Sequence, residues 1–375
     1  MNAEAPIPNP LARIRHDVQG MHAYAVQAST GLIKLDAMEN PHCLPPALQA
    51  ELGQRLGQVA INRYPGERID ALRTALLGHA QPPAGWSLML GNGSDELISL
   101  LAMACDIPGA SVLAPLPGFV MYAMSAQLQG LAFHGVPLTA DFELDEAAML
   151  AAIAQHRPAI VYLAYANNPT GTLWDEGAIA RIIAAQGAAG GLVVMDEAYQ
   201  PFAARSWIEN VRAAPDAHRH VLILRTLSKF GLAGVRIGYL LGEATLMAEL
   251  DKVRPPYNVS VLNAECALFA LEHEAVFAAQ AQDIRAQRAL LLQALAKMPG
   301  VHAYPSEGNM ILLRVRGKDA ADTEAAARVF NGMKAHGVLA KNVSKMHPLL
   351  ANCLRLTVGT ADENARQLAA LQASL

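Results

Sequence analysis

From Leu88 onward, short apolar runs alternate with helix-like stretches, and that alternation restricts the fold more than any other feature of the chain. The runs are Leu88–Leu90, Ser111–Ala114, Ala159–Ala164, Leu192–Met195 and Val221–Leu224. They are apolar almost throughout, as strands are when both faces are buried; a strand with one wet face would alternate. Strand–helix alternation of this kind predicts an α/β fold with a mostly parallel sheet covered by helices on both sides. Open sheets of that type bind ligands just outside the carboxyl ends of their strands. Asn168, Asp196, Tyr199 and Lys229 all fall shortly after such a run.

The flanking regions read differently. Residues 1–45 are proline-rich, hold one short apolar run (Leu32–Leu35), and are expected to form an arm that packs with a small domain. Helices are expected over Pro45–Leu56 and Ile69–Leu77, where apolar residues recur at helical spacing. After Pro255-Pro256-Tyr257 the texture changes. One long helical region is predicted over about 261–298, then strands at Met310–Val315, Val338–Ala340 and Cys353–Val358, with helices over about 322–336 and 361–370. A chain of 375 residues is long for a single core. The expected division is the arm, a large domain over 46–258 and a smaller α+β domain over 259–375. In Cys353–Val358 the two-residue period puts Leu354, Leu356 and Val358 on one face and leaves Arg355 on the other, free to point into a cleft.

Charge and cysteine usage remove several function classes. The net charge is −4, so the chain lacks the basic balance of a nucleic-acid-binding surface. An anionic ligand must be held by locally placed arginines, lysines and helix ends. Four cysteines without paired spacing read as free thiols of a reducing compartment. No run reaches membrane-spanning length, and the amino terminus lacks a signal pattern. A soluble cytoplasmic protein is expected, with no nucleic-acid or membrane partner.

Val221–Gly238 is the stretch with the most chemistry. It delivers Lys229, flanked by the hydroxyls of Thr226 and Ser228, with Arg236 seven residues later. Burial lowers the pKa of an amine, and the free amine condenses with aldehydes. The hydroxyls and Arg236 suit a phosphate. So do the backbone N–H groups and the Ser94 hydroxyl where Gly91-Asn92-Gly93-Ser94 opens into a helix. Asp95 and Glu96 would repel a phosphate through their carboxylates, so this segment is expected to act through its backbone. A third glycine of a dinucleotide fingerprint is missing at Glu96. An aldehyde that carries a phosphate is pyridoxal 5'-phosphate. It needs a carboxylate beside its ring nitrogen, for which Asp196 is placed. Its phenolic oxygen needs neutral donors, supplied by Asn168 and Tyr199, and Phe119 can cover the ring. Plainer readings stand beside these: a structural Asp196, a core Phe119, a solvated Arg355, a loop Tyr64.

In this order the residues resemble the fold-type I pyridoxal-phosphate aminotransferases and, among them, the histidinol-phosphate aminotransferase group. The resemblance covers essentially the whole chain. It rests on DAMENP (Asp36–Pro41), RYPG (Arg63–Gly66), GNGSDE (Gly91–Glu96), NNPTG (Asn167–Gly171), DEAY (Asp196–Tyr199), TLSK with AGVRIGY, and HPLLANCLRLTVGT (His347–Thr360). It implies a three-layer large domain around a mostly parallel sheet, with a smaller α+β domain. By the resemblance, Lys229 carries the cofactor, Asp196 partners its ring nitrogen, and Asn168 and Tyr199 bind its phenolic oxygen. Gly93, Ser94 and Asp95, with Thr226 or Ser228 and Arg236, cradle its phosphate. Tyr64 is donated by a second subunit, which implies a homodimer with shared active sites. Arg355 grips the substrate's acidic group, Asn168 lies beside it, and Tyr24 closes over the substrate. Phe119 stands where many relatives have tyrosine. Lys341 stands where some have a second arginine, and lysine supplies charge without the planar fork.

The implied reaction is transfer of an amino group between L-histidinol phosphate and 2-oxoglutarate, giving imidazole acetol phosphate and L-glutamate in histidine biosynthesis. Two alternatives share the framework: an aromatic amino-acid aminotransferase, and a decarboxylase of a phosphorylated amino acid. A cofactor-binding regulatory scaffold would not need the complete lysine–aspartate–arginine set.

Overall fold

The computed structural model describes residues 9–21, 27–319 and 322–375. The described residues up to Thr30 form one unit, with a tight helical turn at Pro10–Arg13 and a single α-turn at His16–Gln19. Residues 31–375 form a second unit, which holds all the features below.

Strands β1 (Ile33–Lys34), β2 (Trp86–Gly91), β3 (Ser111–Leu116), β4 (Ala132–Pro137), β5 (Ile160–Ala164), β6 (Leu192–Asp196), β7 (Val221–Thr226) and β8 (Gly238–Glu243) come first in the chain. They are followed by β9 (Val301–Ala303), β10 (Met310–Val315), β11 (Val338–Leu339), β12 (Lys341–Asn342) and β13 (Cys353–Thr357). The main sheet runs β2-β8-β7-β6-β5-β3-β4. From β4 to β7 neighbouring strands are parallel, while β8 lies antiparallel between β7 and β2. Alternate residues serve two cores. Leu88, Val161, Leu163, Val193, Met195, Val221 and Ile223 pack on one face. Met89, Ile160, Tyr162, Val194, Leu222 and Leu224 pack on the other. Both faces are buried, which explains why these runs read as continuous.

A second sheet, β12-β13-β10-β9, is antiparallel throughout. Ile311, Leu313, Leu354 and Leu356 turn into its own core with the helices Ala325–Ala335 and Ala361–Ser374. Leu312 joins the core of the main sheet instead, and its register partner is Arg355. Arg355 therefore lies on the face opposite Leu354 and Leu356, as the two-residue period requires. Strand β1 pairs in parallel with β11.

The structure departs from the sequence reading at particular places. The long helical region over 261–298 is two helices, Val261–Glu272 and Glu274–Ala296, because the backbone of His273 (φ −109°, ψ 29°) leaves helical geometry. Strand β8 has no counterpart in the reading, since its residues follow directly on a glycine-rich loop. Edge strand β4 has none either, since exposed positions interrupt its apolar ones. Strand β7 extends past Leu224 to take in a buried charge, Arg225.

That charge is paired. Arg225 Nε donates to Glu197 Oε2 (2.9 Å). Glu197 also accepts from Ser206 Oγ (2.8 and 2.9 Å) and from the Trp207 N–H (2.5 Å). The pair bridges the ends of β6 and β7 from within. Breaking one partner of a buried ion pair costs about 3–5 kcal/mol. Glu197→Gln is therefore expected to destabilise the protein by about that amount, measurable by urea denaturation.

Candidate active site

The register of the main sheet lines up its chemistry. Ala164 pairs with Asp196, Thr226 with Gly238, and Gly238 with Gly91. The ends of β5, β6, β7 and β2 thus share one edge, where a cavity of about 340 Å³ opens. Lys229, Asp196, Asn168, Tyr199, Phe119 and Arg236 line it; Ser94, Asp95, Thr226 and Ser228 do so as well.

Lys229 follows β7 by three residues and is almost wholly buried. Burial, seconded by the Arg355 guanidinium, pulls its amine down to about 8, against the opposing charges of Glu39 and Asp95. Its Nζ donates to the Ala37 carbonyl (3.0 Å). The sheet edge thus presents a nucleophilic amine near neutral pH.

The turn after β2 is built for close approach. Gly93 has φ +85°, and a Cβ placed there would stand 2.5 Å from Arg236 Nη2. A Cβ on Gly238 would stand 2.6 Å from the Ser94 nitrogen. Glycine at both positions lets the guanidinium lie against a helix start that no side chain caps. Arg236 itself adopts φ +55°. Thr226 Oγ1 accepts from the Ser228 N–H (3.1 Å) and lies 3.0 Å from Ser228 Oγ. Glu96 accepts from the Asn92 N–H and from Asn258, both at 2.6 Å. Asp95, which was expected to act through its backbone, also sets its carboxylate 3.5 Å from Arg236 Nη2. Hydroxyls, a guanidinium and uncapped N–H groups together suit a phosphate.

Asp196 closes β6. Burial pushes its carboxyl up to about 6, opposed by donors from the Tyr122 hydroxyl and the Ala198 N–H. The Tyr122 bond is 2.6 Å and the Ala198 bond 3.0 Å. Tyr199 is buried and its phenol is pushed above its ordinary range, so it stays protonated as a donor; here it donates to Met38 Sδ (3.2 Å). Arg355 reaches across from β13, donating to Asn168 Oδ1 and to the Asp36 carbonyl, each at 2.7 Å. That fixes the Asn168 amide with its oxygen engaged, which leaves Nδ2 to act as a donor.

Other expected residues lie elsewhere. Tyr64 does not line this cavity. It is 76% exposed, stacks on Tyr257 with ring centroids 4.2 Å apart, and borders a separate hollow with Arg63 and Arg68. Lys341, on β12, is half-buried, pairs in register with Arg355 and does not line the cavity. Tyr24 lies outside the described residues.

The sequence reading missed two contributors. Residues 36–39 supply carbonyls, a thioether and the Glu39 carboxylate, and backbone acceptors leave no trace in residue types. Tyr122 sits one turn beyond Phe119 on the helix Val120–Gln129, and that spacing was the available signal.

A histidinol-phosphate aminotransferase from Polaromonas naphthalenivorans (strain CJ2) is 67% identical over 362 residues, 96% of each chain. One from Acidovorax sp. (strain JS42) is 67% identical over 375 residues, 100% of this chain and 99% of its own. The crystal structure of histidinol-phosphate aminotransferase from Sinorhizobium meliloti in complex with pyridoxal-5'-phosphate superposes with a TM-score of 0.76 at 25% identity. That match covers 90% of this chain and 89% of the other. Residues 30–371 match the family model described as aminotransferase class I and II, a span that takes in both sheets and the whole cavity. The chain belongs to the aminotransferase class I and II family, and it is an enzyme, a transferase.

Proposed function

We propose that this enzyme transfers an amino group between L-histidinol phosphate and 2-oxoglutarate, giving imidazole acetol phosphate and L-glutamate, with pyridoxal 5'-phosphate as its cofactor. The observation that carries the chemistry is a single cavity joining a desolvated lysine to a buried carboxylate and a phosphate-type cradle. The whole-length identity to enzymes named for histidinol phosphate supports the substrate.

The residues present fit the cofactor. The space a Cβ would fill at Gly93 and Gly238 is kept open beside Arg236, and Lys229 lies in the same cavity. When bound, pyridoxal phosphate supplies an aldehyde that takes up amines and a ring that accepts the electron pair released when a Cα–H bond breaks. Arg236, Ser94, Thr226 and Ser228, with the backbone of Gly93 and Asp95, hold the phosphate. Asp196 keeps a proton on the ring nitrogen. Asn168 and Tyr199 donate to the phenolic oxygen, and Phe119 covers the ring. Lys229 Nζ is the base that removes the substrate Cα proton. Arg355 pairs with the acidic group of either substrate, so both half-reactions use one arginine and ping-pong kinetics follow. Residues 46–258 then serve as the cofactor domain and 259–375 as the substrate domain.

The assembly is proposed to be a homodimer in the cytoplasm, with Tyr64 completing the phosphate site of the second subunit. Support comes from the exposed Tyr64–Tyr257 stack, two aromatic rings presented together at the surface. The four free cysteines suit a reducing compartment. Among the described residues no helix is long and apolar enough to cross a membrane. Mixing Tyr64→Phe chains with Lys229→Ala chains is expected to give hybrid dimers more active than either parent. Activity no higher than the parental average would remove the shared site.

A substrate panel tests the reaction. Purified enzyme given histidinol phosphate, histidine or phenylalanine with 2-oxoglutarate is expected to turn over histidinol phosphate fastest. Equal or better rates with phenylalanine would transfer the assignment to aromatic amino acids, and carbon dioxide release would transfer it to decarboxylation.

A further inference from the structure

We propose that Tyr122 is a positioning residue of this active site, its hydroxyl fixing the orientation of the Asp196 carboxylate toward the cofactor's ring nitrogen. The inference rests on the role given to Asp196 above.

The geometry is specific. Tyr122 Oη donates to Asp196 Oδ2 at 2.6 Å, while Oδ1 accepts from the Ala198 N–H at 3.0 Å. Each carboxylate oxygen has one protein donor, so the plane of the group is set and its other lone pairs stay available to a ligand. Tyr122 is itself held on two sides. Its ring stacks on Tyr162 with centroids 4.3 Å apart and planes 8° apart, and it meets the Phe119 ring edge-on at 5.6 Å. It is 3% exposed. Phe119 and Tyr122 come from one turn of chain, so the residue that covers the ring and the residue that steadies the carboxylate move together.

The stacked neighbour supplies a contrast. Tyr162, on β5, buries its hydroxyl with no hydrogen-bond partner among the described residues. Of the two phenols, Tyr122 alone donates to Asp196.

Its bond also bears on charge. Asp95 from the helix Ser94–Ala104 and Glu197 on the adjoining turn push the Asp196 carboxyl in the same direction as burial. Tyr162 and Tyr199 stand nearby, and Lys229 and Arg236 line the same cavity. Opposing them are the hydrogen bonds from the Tyr122 hydroxyl and the Ala198 N–H. A hydrogen bond to the charged form favours it. Without the phenol the carboxyl gains both rotational freedom and a higher affinity for its proton.

The test is a titration of Asp196 by carbon-13 NMR in cofactor-free protein, so it does not depend on turnover. Tyr122→Phe is expected to raise the midpoint by about one unit. In the loaded enzyme the acid limb of the kcat/KM profile should move up by a similar amount. Turnover should fall about tenfold while KM for the amino donor changes by less than about twofold. Tyr162→Phe should move neither titration nor profile. Difluorotyrosine at 122, a stronger donor of nearly the same size, should lower the midpoint, and it serves as the test if the phenylalanine variant does not fold. An Asp196 midpoint that is unmoved by either change would reduce Tyr122 to a packing residue. Full turnover in Asp196→Asn would instead overturn the role of Asp196, and the titration would still read the Tyr122 contact on its own.

Discussion

Lys229→Ala is expected to lower turnover by at least about a thousandfold, since in the proposed function one amine serves as both cofactor anchor and proton carrier. The pH dependence offers a sharper check than the loss itself. An amine captures an aldehyde only when neutral. Burial beside Arg355 brings Lys229 down to about 8 from its ordinary 10.5. The rate at which cofactor-free protein captures pyridoxal phosphate should therefore rise with pH and reach half its plateau near 8, followed by stopped-flow absorbance. A midpoint near 10 would mean that the lysine is solvated and that the cavity does not desolvate it. Retention of turnover and of the lysine-bound absorbance in the alanine variant would overturn the assignment altogether.

Asp196→Asn is expected to separate function from stability. In the role proposed for Asp196, losing its charge should lower turnover by about 10²–10³-fold, the usual scale for removing one aligned electrostatic group. The cofactor-free protein should become more stable. The folded carboxyl sits at about 6, above its ordinary 3.8, so the cost of keeping it ionised applies in full above pH 6 and disappears as pH falls towards 3.8. A shift of that size corresponds to at most about 3 kcal/mol. Urea denaturation at about pH 7.5 should show a gain of about 1–3 kcal/mol, and at about pH 3, below both values, none. Equal gains at both values would mean that the charge is not what the fold is resisting.

Much of this site could be read from residue order. Parallel strands buried on both faces leave continuous apolar runs, and their ends mark where a ligand site forms. Asn168, Asp196, Tyr199 and Lys229 were therefore locatable before any coordinates. Arg355 was readable through the two-residue period of its strand. The antiparallel β8 was not, because Gly238 belongs at once to the phosphate loop and to a strand, and glycine signals only the former. For Tyr122 the one-turn spacing from Phe119 was the whole of the signal, because a tyrosine in an apolar helix looks the same whether or not its hydroxyl meets a carboxylate. The Ala37 and Asp36 carbonyls were invisible for a simpler reason: any residue type supplies one. The break at His273 was also silent, since the helical pattern continues across it and only the backbone at that residue turns away.

The arrangement of the two sheets has a consequence for how this enzyme can change over generations. Asn168, Asp196 and Lys229 follow the ends of β5, β6 and β7, interior strands paired along both edges and braced by the Arg225–Glu197 bond. Openings there need close to global unfolding, so hydrogen exchange should be slowest in these strands. Arg355 comes instead from the smaller sheet, whose outer strands are only two and three residues long. With Arg355 in the role proposed above, substitutions around it retune which acid is held without touching the anchored half. Dependence on one cofactor is thus hard to lose by drift, whereas preference among amino donors is open to it.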